Sequence, residues 1–345
     1  MRRYAFPAIA AALLAAARPA KAEDDTSDLE GLLDTSVVSA PSKTAESVSV
    51  APATSIVITA EDLRRYGIRS IDEAINFLAF GMVTEKSFQN AEIGSRGVIL
   101  ASDFGSHVLL MVDGHVMSEQ WGATAYFDRS TAIPFEIIDH IEIVLGPGSV
   151  LYGANAMLGI VHIVTKRAKD FTGVHFGVES EVPVSLRGFT GLGKEFTLFG
   201  SRAEVVLELE HYEQQGPVFD FPALDFGPDD ITMQRRDYDS DPKNPNGLGV
   251  WGGKGDDGYY MQAPSAYLRL RVGDFEVGAR AALSKRAEPT EGGNFDDPDS
   301  YQLDRWAHLD IKHDVALSAA ARLSTRRARV QELPAPRTAG QRREG

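Results

Sequence analysis

The stretch Ile141–Lys166, IEIVLGPGSVLYGANAMLGIVHIVTK, constrains the fold more than any other. Ile141–Leu145 and Ile160–Thr165 are apolar, β-branched runs of strand composition. Between them stand Gly146, Pro147, Gly148 and Ser149, then Gly153 and Gly159. The spacing predicts two β-strands joined by a tight, glycine-rich connection. It is not a dinucleotide-binding loop, because Leu151 occupies the position where that fingerprint needs its third glycine.

The residues before this block read as mixed α+β. Thr59 with Asp62 three residues on has capping-box spacing, and Gly67 ends that helix. A second helix starts at Ser70, with Ile71, Ala74, Ile75 and Leu78 on one face and Gly81 closing it. Strands are expected around Ile93–Ile99 and Val108–Val112. Pro134 suits the first turn of a short helix ending near Asp139. The expected domain is two or three helices against a four-stranded sheet.

Five ordered segments resemble the plug domain of TonB-dependent outer-membrane receptors. They are SIVITAEDLRRYGIRSIDEAI (Ser55–Ile75), IGSRGVIL (Ile93–Leu100), HVLLMVDGHVMSEQ (His107–Gln120), IPFEIIDHIEIV (Ile133–Val144) and the Gly-Pro-Gly block. They follow the family's order over Asp34–Arg167. The motif residues are Arg96, Gly97, Asp113, Gly114, Gly146, Pro147, Gly148, Tyr152 and Gly153. One departure is Leu145, where the family usually carries a basic residue; a plug–barrel ion pair is not expected there. The resemblance implies that Arg96 lies on a plug strand facing wall carboxylates such as Glu204 or Glu208. It also implies a TonB box at Asp34, Thr35, Ser36, Val37, Val38, Ser39 and Ala40, which would add as a strand to a sheet edge of TonB. Ligand contacts are expected on the apical loops Ser87–Gln89, Leu100–Ser106 and Ser118–Ala125, with Trp121, Tyr126 and Phe127 as the aromatics to test.

MRRYAFPAIAAALLAAARPAKA has the form of an export signal: Arg2 and Arg3, an apolar run, and Ala20-Lys21-Ala22 as the cleavage pattern. No apolar stretch of eighteen residues follows, so membrane-spanning helices are excluded from the rest of the chain. That does not exclude a barrel, whose strands alternate. A net charge of -14 argues against nucleic acid. The chain has no cysteine, so it carries neither disulfides nor thiolate metal sites.

After Lys166 the texture is β alone. Val205, Leu207 and Leu209 alternate with Glu204, Glu208 and Glu210; Phe275, Val277, Ala279 and Ala281 alternate with Glu276, Gly278 and Arg280. The same pattern holds at Val174–Val178, Ala266–Leu270, Ala307–Ile311 and Val315–Leu323. Short turns at Gly200–Arg202, Gly273–Asp274 and His313–Asp314 alternate with long loops at Glu213–Ala263 and Arg286–Tyr301, as in an up-and-down outer-membrane barrel. Alternation alone does not say whether the polar face meets water or a lumen. About seven antiparallel transmembrane β-barrel strands are expected, an incomplete barrel beside the family's usual twenty-two or so. The domain reading is 1–22 signal peptide, 23–54 periplasmic arm with the TonB box, 55–168 plug, 169–326 partial barrel and 327–345 unstructured tail.

Other motifs fail on chemistry. Gly188–Lys194 (GFTGLGK) has phosphate-loop spacing, but Glu195 replaces the magnesium-binding hydroxyl, and a hairpin loop is the expected structure. Asp237–Gly247 begins like a calcium loop, yet Pro242 and Leu248 stand where Gly and Glu belong. The eight histidines show no zinc spacing, and His162 is expected to be structural. No catalytic set, cofactor or metal is expected. The implied function is a TonB-dependent outer-membrane transporter for a scarce nutrient such as a ferric siderophore or cobalamin, with TonB, its inner-membrane energising complex, a small-molecule ligand and the outer membrane as partners. The alternative is a non-transporting plug fragment that binds TonB or ligand.

Overall fold

The computed structural model describes residues 37–38, 46–47, 54–86, 91–100, 104–119, 123–171, 173–181, 185–216, 218–221, 253–255, 260–287, 301–318 and 321–332. The export signal, the acidic loop Asp237–Gly247 and residues 333–345 lie outside them.

The first two strands, β1 (Val37–Val38) and β2 (Glu46–Ser47), form a two-residue antiparallel pair, with Val37 opposite Ser47. The plug sheet begins at β3 (Thr54–Thr59). Helix α1 (Ala60–Arg65) carries the expected capping box: Thr59 Oγ1 accepts from Asp62 N at 3.1 Å, and Thr59 N donates to Asp62 Oδ2 at 3.0 Å. Gly67, at φ +66, ends it. Helix α2 (Ile71–Leu78) buries Ile71, Ala74 and Ile75. Ser70 flanks it without capping it, because its hydroxyl is taken by Asp72 Oδ1.

Strands β4 (Met82–Lys86), β5 (Ala91–Ser95) and β6 (Val98–Ile99) make a separate three-stranded sheet. The expected strand Ile93–Ile99 is therefore two strands folded back on each other. Next come β7 (Val108–Val112), β8 (His115–Val116), β9 (Ile138–Leu145) and β10 (Gly159–Thr165). The main plug sheet has five strands, not four, in the order β3-β9-β10-β7-β8. Only the β10–β7 pair is parallel. Strand β7 is apolar at every position because both its faces are covered. Val108, Leu110 and Val112 face the core shared with both helices, and Leu109 and Met111 join Val144, Ala156 and Ile160 in a second cluster. The Pro134 turn is a short 3-10 helix, Phe135–Ile137, and the chain is already extended at Ile138. The β9–β10 connection is no tight hairpin. It makes a helical excursion through α3 (Ser149–Tyr152) and a 3-10 turn at Ala154–Ala156.

Beyond Arg167 a single antiparallel sheet wraps the plug. Its strands are β11 (Gly173–Glu181), β12 (Ser185–Leu198), β13 (Ser201–Gln214), β16 (Met261–Val272), β17 (Phe275–Ala287), β18 (Tyr301–Ser318) and β19 (Ala321–Glu332), paired in that order. A small hairpin, β14 (Phe219–Phe221) with β15 (Gly253–Gly255), stands in the long β13–β16 connection. Seven strands match the expected number, with different boundaries. Gly188–Lys194 is inside β12, and His313–Asp314 is inside β18, so neither is a turn. Strand β19 runs to Glu332, into the stretch from 327 read as unstructured. Among the described residues β11 and β19 are open edges, and the seven strands form an open sheet.

The wall settles what alternation left open. Glu208, Glu210, Arg187, Ser265, Arg280 and Asp310 are buried against the plug. Val174, Phe176 and Val178 point the other way, at 73%, 61% and 72% exposure. Polar groups inside and apolar groups outside are the arrangement of a lumen wall in lipid, the inverse of a soluble sandwich.

Candidate functional site: the plug–wall seam

Two hairpins place the motif residues. Asp113 and Gly114, at φ +47 and +74, form the two-residue loop between β7 and β8. Positive φ at both positions is what such a loop requires, and Asp-Gly tolerates it. The turn aims the Asp113 carboxylate along the edge of the sheet toward the wall. Oδ1 accepts from Thr165 N at 3.0 Å, and Oδ2 accepts from Thr165 Oγ1 at 2.8 Å and Tyr267 Oη at 2.9 Å. Arg269 Nη1 lies 3.7 Å from Oδ1 and donates to Thr165 Oγ1 at 2.9 Å. Glu276 holds Arg269 Nη2 at 3.1 Å and Lys312 Nζ at 3.2 Å, while Lys312 Nζ also donates to the Asp113 carbonyl at 2.8 Å. Burial works against the Asp113 charge, but Arg269 and the Thr165 N–H outweigh it and hold the carboxyl below its usual value.

Arg96 and Gly97, at φ +55 and +79, form the matching loop between β5 and β6. Arg96 therefore does not face the wall from a strand, as the resemblance implied. It folds back into the plug and donates from Nη2 to the Leu145 carbonyl at 2.8 Å. Its guanidinium lies over Gly146, where an added Cβ would stand 3.1 Å from Arg96 Cζ. Gly148 is equally confined, by Ile160 Cδ1. Arg96 and Gly-Pro-Gly are thus one contact, a long arginine on a residue that must lack a side chain. Leu145 is buried in the plug core. Tyr152 packs against the second cluster, and Gly153, at φ +88, turns the chain toward β10.

The wall carboxylates proposed for Arg96 have other partners. Glu204 takes Arg167, Glu208 takes His175 Nε2 at 2.9 Å, and Glu210 takes Arg187 at 2.7 Å and the Phe135 N–H at 3.1 Å. Glu181 takes Arg129 at 2.8 Å, with Arg129 also 4.3 Å over the Tyr212 ring. His162 is structural, as expected. Its Nε2 accepts from Gly114 N at 3.0 Å, so its Nδ1 carries the proton toward Glu142, 3.1 Å away. His140 holds Asp139 at 2.6 Å and Glu142 at 3.4 Å. Burial opposes its charge, but these two acids raise it to about 9.

Of the three aromatics expected to meet ligand, Phe127 does not. Its ring is completely buried in the plug core, and its carbonyl caps Asp72 N. Tyr126 lies against the ends of β17 and β18 that residues 288–300 join, accepting from Gln302 Nε2 at 2.9 Å, with Arg286 4.8 Å above its ring and Trp306 edge-on at 5.8 Å. Burial and the Asp304 charge push its phenol up to about 12. On the opposite face of the same strands, Lys285 lies over Tyr301 at 4.0 Å and Tyr260 at 5.0 Å. Trp121, with residues 87–89 and 101–103, lies outside the described residues. So do Asp34, Thr35, Ser36, Ser39 and Ala40 of the proposed TonB box. Tyr267, Arg187, Arg280 and the His115–Asp310 pair were not singled out by sequence. For the wall residues the one available signal was their place on the polar side of alternating strands; His115, on β8 of the plug, carried none.

Residues 47–160 match the family described as the TonB-dependent receptor plug domain. Over 164 residues the chain is 29% identical to the ferric enterobactin receptor PirA of Pseudomonas aeruginosa, covering 45% of this chain and 22% of that receptor. Among solved structures, the FrpB iron transporter of Neisseria meningitidis superposes with a TM-score of 0.53 at 12% identity, over 80% of this chain and 38% of that one. The ferric yersiniabactin uptake receptor FyuA of Yersinia pestis superposes at 0.50 with 19% identity, over 78% and 39%. These matches span well under half the length of each relative. Residues 47–160 thus carry a TonB-dependent receptor plug domain, and the described residues fold like the corresponding part of those two solved proteins.

Proposed function

We propose that this chain is the plug-bearing part of an outer-membrane receptor that takes up a scarce nutrient as a metal chelate, a ferric siderophore or a cobalamin-like molecule. The observation that carries this reading is a folded plug seated against the polar face of a sheet whose other face is apolar. Tyr126 and Trp306, with the Arg286 guanidinium over the Tyr126 ring, supply flat, cation-bearing contacts on the inward face suited to such a ligand. The arm 23–54 precedes the plug 55–168, and its segment Asp34–Ala40 is the proposed point of attachment for TonB. Uptake against a gradient needs an energised partner there. Iron- and siderophore-receptor names among the relatives favour a ferric chelate.

The test is binding of ferric chelates to the full chain folded in detergent, with Tyr126→Ala as the variant. A chelate that binds wild type and loses at least tenfold on this change supports the reading; indifference to every chelate refutes it. The TonB claim has its own assay: a Ser27–Ala53 peptide should bind TonB's C-terminal domain and lose that binding on Val37→Pro. A second reading, binding of TonB or ligand without transport, is favoured by the edges β11 and β19 that stand open among the described residues, since lipid does not tolerate unpaired strand edges. Ligand binding without uptake in a reconstituted outer membrane selects it.

A further inference from the structure

We propose that Arg280, with Ser265 and Ser284, forms a buried site for an oxyanion, a carboxylate or phosphate group, at the seam between plug and wall. Arg280 is 3% exposed. Its Nη2 donates to the Thr131 carbonyl of the plug, while Nε and Nη1 are buried with no acceptor. Among the described residues no carboxylate forms an ion pair with it. A buried guanidinium lacking a counter-charge is among the costliest groups a fold can hold.

The neighbours share the deficit. Strand pairing sets Tyr267 opposite Arg280 and Ser265 opposite Ala282. Inward-facing Arg280, Ala282 and Ser284 therefore run past Ser265, which is diagonal to both polar residues and within reach of an arginine. The hydroxyls of Ser265 and Ser284 are also buried without partners. His308, opposite Arg280 on β18, stacks on His115 at 4.1 Å and has no hydrogen bond among the described residues. The nearby acids are already engaged. Asp304, opposite Ser284, accepts from Gln302 at 3.0 Å. Asp310 is held by His115 at 2.7 Å and Arg326 at 3.0 Å, and Asp113 by Thr165 and Tyr267.

The patch thus offers unsatisfied donors and one positive charge that faces no anion, only the Trp306 ring 5.9 Å from Arg280 Cζ. Water would answer the donors and leave the charge; an oxyanion answers both. The site lies one step inward from the Tyr126–Trp306 cluster, along the same faces of β17 and β18. It stands on the seam geometry alone and does not depend on the uptake reading.

The experiment follows the melting temperature of the full chain in detergent against inorganic phosphate at constant ionic strength. Wild type, and an Arg202→Gln control at an exposed turn, should show a saturable rise. Arg280→Met should remove that rise and melt higher than wild type without phosphate, because an apolar chain replaces an unpaired charge. Ser265→Ala with Ser284→Ala should shift the phosphate midpoint upward at least threefold, and it serves if Arg280→Met does not fold. No saturable rise in wild type, or the same rise in Arg280→Met, overturns the proposal.

Discussion

Replacing Asp113 with Asn tests whether the seam is held by charge or only by shape. Asn keeps the side-chain size and tolerates the left-handed backbone at φ +47, so the β7–β8 turn should survive. What changes is the charge balance. Asp113 and Glu276 face Arg269 and Lys312, two negative groups against two positive ones, and the variant leaves one positive charge over. Breaking one member of a buried pair costs about 3 kcal/mol or more. The Asp113 carboxylate is mostly shielded, so solvent does not screen this away. Denaturant unfolding of the full chain in detergent should therefore show Asp113→Asn and Arg269→Met each destabilised, with a coupling of about 2 kcal/mol between them. The acid limb gives a second reading. The folded carboxyl sits below its usual 3.8, so its stabilisation is full above that pH and is lost as pH falls through the lower, folded value. Asp113→Asn should flatten that limb. Additivity within about 0.5 kcal/mol, or an unchanged acid limb, would refute the charge argument.

Gly146→Ala sets a methyl 3.1 Å from the Arg96 guanidinium at φ +104, so it should lower plug stability by about 1–3 kcal/mol, measured by denaturation. Arg96→Ala in the same background should relieve the clash but not the backbone strain. Phe127→Ala should cost about 3–5 kcal/mol by leaving a cavity in the plug core; Phe127→Leu should restore much of that, and chelate affinity of the folded protein should not move with either. His140 is raised to about 9, so its contribution is complete below 6.5 and lost as pH climbs through about 9. His140→Gln should remove the decline in stability over that window.

Much of the plug could be read from sequence because its signals are local. The Thr59–Asp62 box, the Ile71–Leu78 face and the β-branched runs at Val108 and Ile160 each declare themselves within a few residues. The errors came where a distant contact decides. In Gly188–Lys194 the glycines suggest a loop, yet a Cβ at Gly191 would strike Glu208 and His175, and one at Gly193 would strike Phe171. They are strand glycines that let the plug and neighbouring wall side chains come close. His313–Asp314 looks like a polar turn, but His313 stacks on Phe275 of the next strand at 3.9 Å, a cross-strand pair that keeps β18 extended. Phe127 sits in a stretch of small and polar residues, Gly122–Ala125 and Asp128–Thr131, that suggests exposure; only the packing of α2 beneath it shows otherwise. Arg96 misled because a two-residue turn inside IGSRGVIL leaves the strand composition on both sides intact.

The chemistry of the seam bears on how such a plug can be both held and released. The plug core is apolar, and its helices and sheet are joined by groups that water cannot replace. The seam is mostly the opposite: Arg167–Glu204, Arg187–Glu136, Arg129–Glu181, Arg269–Asp113 and the lysine on the Asp113 carbonyl. Among the described residues apolar contact across it is smaller: Val206 and Tyr267 join the plug core, and Ala132 packs with Tyr212, Ala263 and Ala282. When two apolar surfaces part, the whole buried area is exposed to water at a cost that grows with area. When an ion pair parts into water, hydration returns most of what the pair loses. A polar seam therefore fixes the plug's position through geometry while keeping its removal far less costly than unfolding. The uptake proposed above needs that ordering: a pull on the arm must move the plug, or part of it, before the wall gives way. Replacing Arg187 by Met and both Glu136 and Glu210 by Gln tests it: the charges go together, and residue 210 keeps an acceptor for the Phe135 N–H. The protein should become as stable or more so, because no buried charge is left without its partner and the remaining acid, Glu179, is part-exposed. Uptake should fall while chelate binding is kept. Unchanged uptake in a stabilised variant would show that the polarity of the seam serves solvation of the lumen and not release of the plug.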